Sequence, residues 1–113
     1  MSNIKLNAIF KTVCIASDHA GYSLKEDIKN YLINKNVSIY DLGPYNGNSV
    51  DYPDYAKKLA KRVKLGKSGV GILVCGSGTG MAISANKFKK IRAAVCYNLK
   101  STRLSRQHNN ANI

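Results

Sequence analysis

The chain has no CxxC pair, no run of about 20 apolar residues that could span a bilayer, and few acidic groups, six against eighteen basic ones. Its three cysteines, Cys14, Cys75 and Cys96, are odd in number and widely spaced. That argues against a zinc knuckle or a disulfide framework, and free thiols point to a reducing, cytoplasmic setting. The opening stretch MSNIKLNAIFKTV interrupts its apolar residues with lysine and asparagine, so it lacks the core of a secretory signal. Neither a membrane nor a metal partner is expected. There is no internal repeat, linker or low-complexity tract. A chain of 113 residues is then one domain, 1–113, with a short N-terminal extension at 1–11. A domain of this size buries roughly two-thirds of the surface its unfolded chain exposes.

What is abundant is positive charge. The net charge is +12, carried by 14 lysines and 4 arginines spread along the chain. Nucleic-acid readers favour arginine forks and clustered stripes, so no nucleic-acid partner is expected; steep salt dependence of DNA or RNA affinity would mark one. A diffuse positive field suits small anions such as sugar phosphates.

Strands and helices alternate in the pattern. Residues 12–17 (TVCIAS) are a short buried strand. Leu24, Ile28, Tyr31 and Leu32 recur at helical spacing over 22–35. A second strand at 37–42 ends at Gly43-Pro44. Pro53 suits the first position of a helix whose apolar face is Tyr55, Ala56, Leu59, Ala60 and Val63, and which stops at Gly66. A third strand spans 69–75, a glycine loop follows, and a helix runs from about Gly80 to Phe88. Residues 92–97 are expected to be a fourth strand, with Cys96, like Cys14, a buried strand residue. Asn98 caps a helix running through Gln107, and 111–113 could begin a fifth strand. Such alternation implies a parallel sheet covered by helices on both faces.

In open parallel sheets, ligands bind beyond the carboxyl ends of the strands. There the pattern places Asp18 and His19, then Cys75 with Gly76-Ser77-Gly78-Thr79-Gly80, then Tyr97 and Asn98, with His108 and Asn109 at the end of the following helix. The loop is neither a Walker A motif nor G-x-G-x-x-G. A nucleotide-binding module would also need a ribose or phosphate partner outside it, and none is visible. Its amides can approach an anion or an oxyanion closely. A cysteine opening such a loop at a helix N-terminus has its thiolate favoured, although a free cysteine is equally at home as a small buried hydrophobe. Asp18 could cap the next helix, and His108 could be a surface residue. A thiol, an acid and a glycine loop on one sheet edge nevertheless form a candidate site.

Four segments carry a resemblance: Ser17-Asp-His-Ala-Gly21, Asp51-Tyr-Pro-Asp-Tyr-Ala56, Cys75-Gly-Ser-Gly-Thr-Gly80 with Ala85-Asn-Lys87, and Ser105-Arg-Gln-His-Asn-Asn-Ala-Asn112. In order and spacing the chain resembles the type B ribose-5-phosphate isomerases of the ribose and galactose phosphate isomerase family. The resemblance implies a Rossmann-like three-layer α/β/α sandwich. It also implies interconversion of D-ribose 5-phosphate and D-ribulose 5-phosphate through an enediolate, in the pentose phosphate pathway, with no metal or organic cofactor. By the same resemblance Cys75 is the base, and the loop Gly76, Ser77, Gly78, Thr79 and Gly80 steadies the enediolate, with Ser77 orienting the thiol or the substrate. Asp18 shuttles protons, His19 lies beside it, and Tyr52 walls the pocket. His108 opens the sugar ring, and Asn109 contacts the sugar. Met81 stands where some relatives carry a glutamate base, so this is the cysteine type.

Keeping Asp18, His19, Cys75 and His108 together favours ribose 5-phosphate over allose 6-phosphate or galactose 6-phosphate. A homodimer with shared active sites is implied. Family members continue through another strand, a helix and a basic tail whose arginines bind phosphate. The expectation is therefore a C-terminally truncated chain lacking the last strand and helix, either with weak or no isomerase activity by itself or an inactive remnant.

Overall fold

The most deeply buried strand lies at the centre of the sheet. Strand β1 (Thr12–Ser17) is buried at every position after Thr12, as a parallel strand covered on both faces must be. It pairs in parallel with β2 (Ser38–Asp41) on one side and β3 (Val70–Val74) on the other, giving the order β2-β1-β3. In register, Cys14 lies opposite both Tyr40 and Gly71. The computed structural model describes residues 12–113; the expected extension at 1–11 lies outside the described residues.

Among the described residues four helices accompany the strands: α1 (Tyr22–Asn34), α2 (Tyr52–Lys64), α3 (Thr79–Ala85) and α4 (Leu99–Asn109). Helix α2 buries the face its periodicity marks, Ala56, Leu59, Ala60 and Val63. Leu59, Ala60 and Val63 pack with Cys14, Ala16, Ala85 and Ile91 into the main core, with Tyr55 at its margin. Tyr52 opens the helix and Pro53 follows it, one place later than expected and still within the first turn, where its missing N–H costs nothing. Gly66 ends the run in the left-handed region, at φ 76°.

Helix α1 departs from its pattern. Leu24 and Tyr31 are exposed, Ile28 and Leu32 are half-buried, and the fully buried residue is Lys25. Periodicity weighs hydrophobicity alone, and here an ion pair decides which side faces inward. Lys25 Nζ lies 2.7 Å from Asp41 Oδ2 at the end of β2. Lys29 reaches the same oxygen at 2.9 Å and also pairs with Glu26 at 2.8 Å. Leu24 and Ile28 instead line an open groove beside β3.

The expected fourth strand is not formed as a ladder of the sheet. Residues 92–97 have no strand assignment among the described residues, and neither do 111–113. A strand needs a continuous neighbour, and this one has only short contacts. Asn112 donates to the Arg92 carbonyl (2.9 Å), and Ala94 donates to that of Ile113 (2.9 Å). The Asn112 carbonyl in turn accepts from Gly71 of β3 (2.9 Å). Among the described residues no backbone hydrogen bond ties 95–97 to a strand, and Cys96 is exposed rather than buried as its position in an apolar run suggests.

Candidate active site

The carboxyl ends of β1 and β3 meet directly. The Asp18 N–H donates to the Val74 carbonyl at 3.1 Å, which brings the turn after β1 against the loop after β3. Asp18 is 8 % exposed. Its Oδ1 accepts from the Gly21 N–H at 2.9 Å, so the carboxylate also braces the start of α1. Both readings of Asp18, a helix brace and a site acid, thus fit one geometry. His19 is exposed, and its Nδ1 lies 3.2 Å from the Val50 amide nitrogen. That contact ties the β1 turn to the loop preceding α2, where Tyr52 stands.

Cys75 follows β3 and is half-buried. Its Sγ accepts a hydrogen bond from the Gly78 N–H at 3.1 Å. The loop can fold back on the sulfur because Gly78 adopts φ 81°, a conformation open to glycine at little steric cost. Ser77 Oγ accepts from the Thr79 N–H at 3.3 Å, so Ser77 braces the first turn of α3. Two loop amides are thereby committed internally. Those of Gly76 and Ser77 bond to no other described residue and stand open to a ligand oxygen. The Tyr52 ring closes the far side: a Cβ added to Gly80 would lie 2.8 Å from Tyr52 Cε1.

Asp18, His19, Tyr52 and the 75–80 loop therefore form one contiguous edge. His108 and Asn109 are placed differently. They sit in the last turn of α4 and line a cavity of about 530 Å³ with Asn86, Arg92 and Ser105. Cys75 lines a second cavity of about 400 Å³. Ala93 and Ala94 border both, so the two spaces are neighbours across one stretch of backbone. Asn98 caps α4 as expected, its Oδ1 accepting from Ser101 N–H at 2.9 Å. No residue of α4 is buried, and Leu99 and Leu104 face outward.

Three supports escaped sequence reasoning. Asn86 grips Ala93 from both ends, donating through Nδ2 to its carbonyl (2.9 Å) and accepting through Oδ1 from its N–H (2.8 Å). Asn112 does the same for the preceding turn, accepting from Arg92 N–H and donating to the Lys90 carbonyl, both at 2.8 Å. Val50 orients His19. The two asparagines lie within segments quoted above, but nothing in their spacing indicates a backbone clamp. Of the other thiols, Cys96 is exposed and lines the same cavity as Cys75. Cys14 lies fully buried in the core, and desolvation pushes its thiol up, away from nucleophile chemistry.

Comparison with known proteins follows the same outline. The sequence profile of the Ribose/Galactose Isomerase family matches residues 13–113. The chain is 43% identical over 103 residues to ribose-5-phosphate isomerase B of Escherichia coli, covering 91% of this chain and 69% of that protein. Its fold matches a ribose 5-phosphate isomerase from Thermotoga maritima with a TM-score of 0.89 at 51% identity, over 90% of this chain and 70% of the other. It also matches ribose-5-phosphate isomerase B from Mycoplasma genitalium with bound ribulose-5-phosphate. There the TM-score is 0.83 at 44% identity, over 89% of this chain and 68% of the other.

Proposed function

Because the chain belongs to the ribose/galactose isomerase family, we propose that it is a sugar-phosphate isomerase interconverting D-ribose 5-phosphate and D-ribulose 5-phosphate. Relatives with that name, one of them holding ribulose-5-phosphate, support the substrate class. The observation that carries the reading is the Cys75 sulfur. It is held 3.1 Å from the Gly78 amide, in a loop whose strand end is bonded to the Asp18 backbone.

In the open-chain aldose, the Cys75 thiolate takes the proton on C2 while the carbonyl oxygen on C1 gains charge. A bond from Gly78 N–H holds the sulfur in place, and the open amides of Gly76 and Ser77 face the developing oxyanion. Asp18 moves a proton between the two oxygens of the enediolate. The thiol then returns its proton to C1, giving the ketose. His19 and Tyr52 wall the sugar. His108 opens the furanose ring and Asn109 holds it. Helix α4 carries both of these last residues and buries none of its own, with apolar Leu99 and Leu104 turned outward. This supports a homodimer in which α4 packs on a second copy and the sites are shared. A role in the pentose phosphate pathway, in the cytoplasm, is consistent with that substrate.

The test is proton exchange. Ribose 5-phosphate incubated with the protein in D2O should become ketose labelled at C1, and Cys75→Ala should slow this by about 10²–10⁴-fold, the usual worth of a positioned base. Allose 6-phosphate and galactose 6-phosphate should turn over more slowly. Undiminished labelling by Cys75→Ala would remove the base assignment. Sedimentation equilibrium should show a dimer, and a monomer with full turnover would contradict shared sites.

A further inference from the structure

Helix α1 buries a cation where its apolar spacing would turn Leu24 inward. The Lys25 side chain is 0% exposed. Its Nζ touches Asp41 Oδ2 at 2.7 Å and lies 5.3 Å and 6.0 Å from the Tyr22 and Tyr45 ring centres. Burying an ammonium is costly, and a well-packed apolar side chain of similar length often does as well or better for stability alone. What the amine adds is direction. Paired also with Glu26 at 3.5 Å, and with Lys29 on the same Asp41 oxygen at 2.9 Å, it holds the carboxylate from the buried side so that the other oxygen, Oδ1, accepts from the Gly43 N–H at 2.8 Å. Tyr45 Oη then donates to the Asp41 carbonyl at 3.0 Å, and Tyr22 Oη to the Tyr45 carbonyl at 3.3 Å. The turn 41–45 is thereby closed around the ion pair.

That turn has a second contact, toward the site. The Gly43 carbonyl accepts from the Ser17 N–H at 3.1 Å. Ser17 is fully buried, and its own hydroxyl has no hydrogen-bond partner. On the β2 side its N–H bond to Gly43 is therefore the polar tie that holds it. The next residues are Asp18 and His19. We propose that Lys25 is a positioning residue: through Asp41 and the Gly43 turn it fixes where β1 ends, and so where Asp18 and His19 stand relative to Cys75. The link to turnover rests on the isomerase reading above; the mechanical link from Lys25 to Ser17 does not.

Lys25→Met fills the same space without the charge, and Asp41→Asn keeps an acceptor for Gly43 without the ion pair. Amide hydrogen exchange followed by NMR should show Ser17 and Gly43 exchanging at least ten-fold faster in either variant. Leu59 and Ala60 of α2, which report global opening, should change less than three-fold. Each variant tests the link if the other folds poorly. Acceleration of equal size in α2, or none at Ser17 and Gly43, would overturn the positioning role. In the isomerase assay, corrected for folded fraction, kcat should fall about ten-fold with KM within two-fold. An unchanged kcat beside a loosened turn would also overturn it. The exchange data decide the positioning role independently of any turnover by the parent protein.

Discussion

Gly21 stands where the β1 turn and the end of β3 come closest. A methyl group there would lie 2.4 Å from the Val74 carbonyl oxygen, 2.6 Å from its carbon and 2.8 Å from Val74 Cγ1. The Gly21 backbone, at φ −91°, suits alanine, so the penalty of Gly21→Ala is contact and not torsion. Main-chain atoms of a buried strand cannot rotate aside, and the turn itself must move. Overpacking of this kind costs about 1–3 kcal/mol. Moving the turn also breaks the Asp18 N–H bond to the same carbonyl, a loss of about 0.5–1.5 kcal/mol. Alanine's smaller unfolded-state entropy returns about 0.4–1 kcal/mol. The net is about 2 kcal/mol of destabilisation. With a urea slope of about 1–3 kcal/mol per molar, the unfolding midpoint should fall by about 1 M. Gly47→Ala is the control: nothing lies within 4 Å of its added methyl, and its midpoint should stay put. A Gly21→Ala midpoint within about 0.2 M of the parent, a small fraction of the shift expected from that slope, would refute the claim that the turn packs this tightly on Val74.

Three further outcomes can be measured. A methyl on Gly71 would lie 2.4 Å from Leu59 Cδ2, so Gly71→Ala should cost about 1–3 kcal/mol and Leu59→Ala about 2–5. The double variant should cost less than their sum, because each change makes room for the other, and strict additivity in urea melts would contradict the contact. Asn86→Ala removes both bonds to Ala93 and should destabilise by about 1–3 kcal/mol, with Asn86→Asp, which keeps the acceptor, losing about half as much; equal losses would remove the clamp. Acid should weaken the fold through the ion cluster. Burial opposes ionisation of Asp41, but bonds from Lys25, Lys29 and the Gly43 amide outweigh it and hold its carboxyl low, and Lys29 holds Glu26 low. Depressed carboxylates contribute stability above their unfolded values, about 4, and lose it as pH falls through the lower folded values. Tm should therefore drop below pH 4, with a shallower drop in Asp41→Asn; parallel curves would assign the acid loss elsewhere.

The alternation of elements was legible because it rests on local periodicity. Thr12 to Ser17 could be read as a buried strand from its β-branched run, and the α2 face from the spacing of Ala56, Leu59, Ala60 and Val63. Asn98 was legible as a cap because capping is a property of a few neighbouring residues. Residues 92–97 misled for the opposite reason: an apolar run shows strand propensity, but a ladder depends on a partner elsewhere in the chain. The inward face of α1 was not legible from Leu24, Ile28, Tyr31 and Leu32 because a hydrophobic period takes no account of Lys25, whose partner Asp41 lies sixteen residues away.

The candidate site divides along the same line. The chemical groups and the strand ends that carry them can be read along the chain: Asp18 and His19 after one strand, Cys75 and its glycines after another, His108 and Asn109 on a later helix. Which of these meet depends on the folded arrangement. It joined Asp18 to Cys75 through the Val74 carbonyl and Tyr52 to the loop at Gly80, and it set His108 in an adjoining cavity. The physical reason is that side-chain chemistry and local propensity are written residue by residue, whereas contact between strand ends depends on register, helix rotation and packing, which involve the whole fold at once.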